Sequence, residues 1–518
     1  MTIDLHGKSN RKLLIRGVAW NGIYQAFQIV VSFGAMLALV RVVPPSEYGR
    51  AATVVGFLVM LNSLNCGLFF RQALQLPAAV EPDWSLHLSA GLYIQGTLVL
   101  LCQAFATGCW FLSSYRPIAP LMHLAGIGLV FDLPSGLAVT MLRRDMNFRR
   151  LRIVHSIGTL LATSVSLAVG LSGGGAYAIV LASNVLGSIP FGIDLLVIRG
   201  WRPRAGWWRF PGVPSYRAAL RFGFQQVGST AVWGGRLMLE AAVLPGAVGF
   251  AAIGLWNRAQ ALYSTSLGRL YPVLIETVYP LLPRYAADQA AYSRKATLFA
   301  QVMVWLFLPG TLFLGMEGRE MSRMIYGSKW IAADPLIWPG AMAGLALSLF
   351  TVFSTIVLAA NRLRASLTMD CICGALGLPA IVSIWFHCSL PVYAWMVALG
   401  MSLGSCVAIY TARQHIAAGG LRAVFAPPAF ASLAGVMVLE LLRRTGWPSV
   451  LAGRVFLCLL AFAVTVLLVF RIAFGRALCD MLAVMPAGNR IMQVVRLIPV
   501  PISNADPVVV SPARISNG

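Results

Sequence analysis

Gln25 to Ala52 reads QAFQIVVSFGAMLALVRVVPPSEYGRAA, and Gln225 to Ala252 reads QQVGSTAVWGGRLMLEAAVLPGAVGFAA. The two stretches lie 200 residues apart and align without a gap. Nine of the 28 pairs are identical, among them Gln25/Gln225, Gly34/Gly234, Pro45/Pro245 and Gly49/Gly249. A chain this apolar gives about two or three such pairs by chance, so the spacing predicts an internal repeat. Each copy is a long apolar run that ends in a P-x-x-x-G-x-A turn.

The rest of the chain has the same character. Of its 518 residues 58% are hydrophobic and 11% charged, against roughly a quarter charged in an ordinary soluble domain. That excludes a water-soluble enzyme, a disordered chain and a secreted disulfide scaffold. A helix crosses a bilayer with about 20 apolar residues. Fourteen runs meet that length: 17–40, 51–70, 86–110, 118–141, 151–171, 175–198, 219–244, 251–281, 296–316, 335–360, 365–387, 390–412, 424–442 and 450–472. The reading is therefore an all-α polytopic membrane protein with about 14 transmembrane helices.

The turns of the two repeat copies end runs 1 and 7, both odd, so both runs cross in the same direction. This predicts a parallel repeat about an axis along the membrane normal. The expected organisation is two six-helix lobes around a central cavity, plus two C-terminal helices. The N-terminal lobe covers 1–200, an interfacial inter-lobe linker 201–218, the C-terminal lobe 219–423, helices 13 and 14 cover 424–472, and a cytoplasmic tail 473–518. The linker interleaves Trp201, Trp207, Trp208, Phe210 and Tyr216 with arginines, a mixture suited to the lipid headgroup layer.

There are 40 Lys and Arg against 17 Asp and Glu. With the N-terminus inside, 28 of the 40 fall on the inner side, nine on the outer side and three within runs. Inner loops of membrane proteins collect basic residues, so most of the excess is topology and places both termini in the cytoplasm. The opening segment, MTIDLHGKSNRKLLIRG, has no small-residue cleavage site and reads as an uncleaved start. The nine cysteines lie almost entirely in apolar runs and show no metal spacing with the six histidines. No nucleic-acid partner and no cofactor is called for.

Three arginines resist the topological explanation. Arg258, Arg269 and Glu276 are 11 and 7 residues apart in run 8, which on a continuous helix sets all three on one face. Arg236 and Glu240 in run 7 are four apart and able to pair, with Gln225 continuing their face. Run 1 carries Asn21, Gln25, Gln28 and Ser32 at spacings of 4, 3 and 4, a stripe that suits helix packing as well as a cavity wall. Ionisable groups within a membrane are costly unless they face a cavity or a partner. The candidate substrate-binding set is Arg236, Arg258, Arg269, Glu240, Glu276, Asn21, Gln25 and Gln225. It is net cationic, and guanidinium forks match phosphate oxygens in pairs. An anionic cargo follows. Asp132, His155, Asp194 and Asp370 are weaker candidates, the last two read as water-accessible, and the run LRRDMNFRRLR at 142–152 is read as orientation charge.

Several segments resemble the polysaccharide repeat-unit flippases of the multidrug/oligosaccharidyl-lipid/polysaccharide exporter superfamily. They are Val43–Gly49 (VPPSEYG), Met141–Leu151 (MLRRDMNFRRL), Gly249–Ala259 (GFAAIGLWNRA) and Val278–Arg284 (VYPLLPR). Glu240 stands where that family often has Asp, and Trp256 where it usually has Tyr. The resemblance implies a non-enzymatic transporter of the bacterial cytoplasmic (inner) membrane. Its cargo would be a polyprenyl-pyrophosphate-linked oligosaccharide repeat unit, moved from inner to outer leaflet by alternating access for exopolysaccharide or O-antigen synthesis. Membrane lipids surround it, and a polysaccharide polymerase and chain-length machinery are candidate partners. The alternative is an ion-coupled small-molecule antiporter of the multidrug and toxin extrusion type. A membrane-embedded polymerase or ligase is a third reading, but the longest outer loop, 317–334, is only 18 residues.

Overall fold

The computed structural model describes residues 8–70, 72–76, 80–270, 282–285, 288–444 and 451–484. Among them every regular element is helical and there is no strand. Eleven helices are long and apolar enough to cross a membrane. The long helices are α1 (Lys8–Val42), α2 (Pro45–Asn62), α3 (Trp84–Phe111), α4 (Ala119–Arg144), α5 (Phe148–Leu171), α6 (Val213–Ser266), α7 (Gln289–Tyr326), α8 (Asp334–Ala359), α9 (Leu363–Trp385), α10 (Leu390–Ala412), α11 (Gly420–Arg444) and α12 (Leu451–Val484).

Four of the apolar runs take a form their hydropathy does not show. The run 51–70 is divided between α2 and the short helix Cys66–Phe70. The run 175–198 is a chain of short pieces, of which Leu181–Val185 and Asp194–Ile198 are π-helical. The runs 219–244 and 251–281 meet in α6, which breaks at Gly249 (φ 76°, ψ 165°). That backbone region costs glycine almost nothing.

Local chemistry sets the ends. The Asp83 carboxylate accepts from the Ser85 and Leu86 amides at 3.1 Å each and starts α3. Asn147 does the same for the Arg150 amide at 3.2 Å and starts α5. Pro45 opens α2 at a position where its missing N–H leaves nothing unpaired.

The described chain forms two compact units. One comprises 1–289 and 310–415, the other 290–309 and 416–518. In the second, Gly435 lets α11 approach the Phe462 ring of α12, and Trp305 stacks on Phe470 at 4.5 Å.

In the larger unit α2 lies against α6, and glycine decides how closely. A Cβ on Gly49 would fall 1.7 Å from the Phe250 carbonyl oxygen, and one on Gly254 would fall 1.9 Å from that of Pro45. The helices therefore touch backbone to backbone, as small residues permit in membranes. Beside this contact, Trp330 is buried with its indole N–H donating to the Val40 carbonyl at 3.0 Å. Its ring meets Tyr48 edge-on at 5.3 Å. Lys329 donates to the Arg41 carbonyl at 3.1 Å, and Arg41 donates to that of Met324 at 3.2 Å. The repeat copies thus meet near their turns, but not as mirror parts. The first copy separates two helices, whereas the second keeps Pro245 inside α6 and bends four residues later.

The basic run at 142–152 does more than count as charge. Arg144 donates to the Ala73 and Val80 carbonyls, Arg150 to Asp194 at 2.8 Å, and Arg152 to the Asn21 side chain at 2.6 Å. Asp194 is 2% exposed and Asp370 3%, which corrects the expectation that water reaches them. Asp194 is held by Arg150, and Asp370 accepts from the Trp233 indole at 3.1 Å. The 201–218 segment folds back on α3: Ser89 donates to the Arg209 carbonyl at 2.5 Å and Tyr93 to that of Trp208 at 3.1 Å.

Candidate functional site

Two cavities lie within the larger unit. The first, about 600 Å³, is walled by α6, by the turn that follows it, and by α8. Arg236, Arg258 and Arg269 all line it, and none of the described residues lining it is acidic. Gly340 and Gly344 bring α8 within reach of Ala259 and Tyr263, where a Cβ on Gly344 would meet the Tyr263 ring at 2.3 Å. Tyr263 and Ser348 share a hydrogen bond of 2.8 Å and fix that wall.

Arg236 is 6% exposed. Its Nη2 lies 3.0 Å from Glu240 Oε1, one helical turn on. Among the described residues its Nε and Nη1 find no acceptor. Its guanidinium lies 5.9 Å from the Trp233 ring centroid, and Gly377 on α9 leaves the space its stem occupies. Glu240 faces away from the cavity, into a void of about 90 Å³ against Thr53 and Gly56 of α2. It pairs with Arg236 from behind and does not line the cavity, so Arg258 and Arg269 are the cations of the wall without a carboxylate at ion-pair distance among the described residues.

Arg258 stands where the two cavities meet and lines both. It donates to the Asn257 side chain at 2.6 Å and lies 4.5 Å over the Tyr48 ring, a cation–π distance. Its buried Nε finds no acceptor among the described residues. Arg269 reaches the same cavity by another route than expected. α6 ends at Ser266, and Arg269 sits in the turn beyond, not one helical stripe down from Arg258. The Gly268 amide donates to the Tyr263 carbonyl at 3.0 Å and closes that turn. Glu276 and the side chain of Gln225 lie outside the described residues.

The second cavity, about 490 Å³, is walled by α1 and α5, with Tyr48, Ser135, Ser188 and Arg258 completing it. The α1 stripe divides here. Gln28 and Ser32 line the cavity. Asn21 is taken by Arg152, and Gln25 is half-buried without lining either cavity. His155, Thr159 and Thr163 face them from α5. Sequence reasoning missed this wall, although Thr159, Thr163 and Ser166 recur at helical spacing opposite the α1 stripe. It also missed Asn257, Gln260 and Trp330. Asp132 accepts from the Ser188 hydroxyl at 2.7 Å behind the same cavity. Among the described residues no group of three His, Cys, Asp or Glu is placed to hold a metal.

A family model described as polysaccharide biosynthesis protein matches residues 38–335. The succinoglycan biosynthesis transport protein ExoT of Rhizobium meliloti (strain 1021) is 22% identical over 353 residues, 67% of this chain and 69% of that protein. A solved structure of the lipid II flippase MurJ in an inward closed conformation superposes with a TM-score of 0.70 at 11% identity, covering 88% of this chain and 99% of that one. An inward-facing multidrug resistance MATE family transporter of the MOP superfamily gives 0.58 at 12% identity, covering 74% and 94%. At such identities the two structures speak for a shared fold.

Proposed function

This chain belongs to the polysaccharide biosynthesis protein family, and from that premise we propose that it is a flippase for a polyprenyl-pyrophosphate-linked oligosaccharide. The observation that carries the reading is one cavity lined by Arg236, Arg258 and Arg269, with no acidic residue on its wall among the described residues. Buried guanidinium N–H groups without acceptors are costly in a low-dielectric interior. A diphosphate supplies charge and paired oxygens in the form guanidinium forks bind best.

In this reading two six-helix lobes rock about the cavity, fourteen helices cross the membrane, and both termini face the cytoplasm. The sugar-diphosphate head enters from the inner leaflet while the polyprenyl tail stays in lipid. The arginines neutralise the phosphates, the contact between α2 and α6 parts, and the head leaves on the outer side. A membrane potential negative inside favours exit of a net anion by about 2.3 kcal/mol per charge per 100 mV. The inner-membrane location, and a polymerase and chain-length machinery as downstream partners, belong to the same proposal. A multidrug resistance MATE family transporter shares the fold, but a wall without carboxylates among the described residues does not attract a cationic cargo.

The test is flipping of fluorescent polyprenyl-pyrophosphoryl-sugar in proteoliposomes. Arg258→Ala and Arg269→Ala are expected to slow it at least tenfold. Wild-type rates in both would overturn the proposal, and efflux of cationic dyes in its place would establish the antiporter.

A further inference from the structure

The arginine cavity accounts for the diphosphate but leaves the second cavity without a role. That cavity is of ligand size, about 490 Å³. Its wall differs in kind from the first. Gln28 and Ser32 on α1 face Thr159 and Thr163 on α5, and Ser188 closes one side. These groups offer an amide and hydroxyls, each able to donate and accept. Among the described residues the side chains of Gln28, Ser32 and Thr163 hydrogen-bond to no protein group. All three are half-buried, so their polar atoms face the cavity and can take water or a ligand. Among the described residues no carboxylate lines the cavity, and Arg258 is the one guanidinium on its wall.

We propose that this α1–α5 cavity is the glycan compartment, so that the substrate straddles two chambers with its diphosphate held in the arginine cavity and its sugars in this one. The inference rests on the flippase reading above and adds where the sugar is read. The ligand class is a neutral or anionic, hydroxyl-rich saccharide. Amide and hydroxyl groups pair with vicinal sugar hydroxyls as donor and acceptor together. Arg258 fits the junction because it borders both chambers, where the anomeric phosphate passes from sugar to lipid. The separation also makes a specificity argument: a chamber that hydrogen-bonds sugar hydroxyls discriminates strongly against analogues that lack them.

The experiment measures binding of two probes to the purified full chain in nanodiscs. One probe is undecaprenyl pyrophosphate without sugar. The other is the lipid-linked glycan extracted from the native membranes. Gln28→Leu and Thr163→Val remove polar atoms at nearly constant volume. Each is expected to weaken the glycan-bearing probe about tenfold, from the loss of one or two hydrogen bonds, and to leave the bare pyrophosphate within twofold. Arg269→Ala is expected to weaken both probes. If the two chamber variants weaken neither probe, or both equally, the glycan compartment is refuted while the flippase reading stands. If Arg269→Ala changes neither probe, the diphosphate site is refuted, and the chamber variants still report on the glycan separately. Unchanged melting of each variant shows that the fold is intact.

Discussion

Gly49→Ala tests the most exacting contact in the structure. The new methyl carbon would lie 1.7 Å from the Phe250 carbonyl oxygen and 2.6 Å from its carbon. Carbon and oxygen approach to about 3.3 Å, so α2 and α6 must part by roughly 1.5 Å at this point. Neither partner atom is a movable side-chain end; both belong to backbone. A gap of 0.5–1 Å already forfeits about a quarter to a half of a dispersion contact. The neighbouring contacts of Gly56 with Ala241 and of Gly254 with Pro45 loosen together with this one. Overpacking of this kind costs about 1–3 kcal/mol, and a backbone clash belongs at the upper end.

The assay is thermal unfolding in detergent, followed by tryptophan fluorescence, with Gly34→Ala as control. Gly34 is the other first-copy glycine conserved between the repeats, it is helical, and a Cβ there meets nothing within 4 Å. Alanine at Gly34 is expected to be neutral or to stabilise by up to about 1 kcal/mol. Gly49→Ala and Gly254→Ala should each lower the midpoint, and the double variant should cost less than their sum, because one parting of the helices relieves both clashes. Equal midpoints for Gly49→Ala and Gly34→Ala would show that the helices do not touch here and would refute the reasoning.

Glu240→Ala strands the buried Arg236 guanidinium and is expected to destabilise by about 3–5 kcal/mol, whereas Arg236→Met with Glu240→Leu should melt near wild type; the pair of midpoints checks this. That double variant is also expected to lose flipping, since the cavity then lacks one of its three cations. Trp330→Phe keeps an aromatic ring but loses the hydrogen bond to Val40, about 1 kcal/mol, and part of the buried indole volume besides, and faster thiol labelling of a cysteine placed at Val40 would report the loosened contact. Asp194→Asn should cost about 1 kcal/mol, because half-buried Arg150 retains an acceptor and access to water, and a loss above about 3 kcal/mol would contradict the burial asymmetry of that pair.

Helical periodicity carried the sequence reading a long way. Arg236, Arg258 and Arg269 do share a cavity, and half of the α1 stripe lines the other. Periodicity failed where the backbone leaves the helix. Arg269 reaches the wall from a turn, and Gly268, directly after the Leu267 cap, was the stop signal that a continuous helical reading passed over. Asp194 and Asp370 were misplaced for another reason. Their partners, Arg150 and Trp233, are 44 and 137 residues away, and no local pattern reports a pairing at that distance. The arginines of 142–152 illustrate the same limit, since a charge count cannot tell an orientation charge from a staple. The repeat was legible as identity, but the consequence of Gly249 was not. The same turn residues end a helix in one copy and bend one in the other.

Arg258 has one guanidinium and two claims on it. At rest it lies over the Tyr48 ring, and Tyr48 in turn props the edge of Trp330, whose N–H is fastened to α1. In the proposed flippase, an arriving anion competes for that same cation. Whatever free energy the anion gains there, it draws partly from the prop, so a full chamber and a firmly seated Trp330 oppose each other. Linkage makes the opposition mutual: a protein with a weakened Trp330 seat should hold its anion more tightly. Arg258 and the Trp330 seat are thus two ends of one short chain of rings.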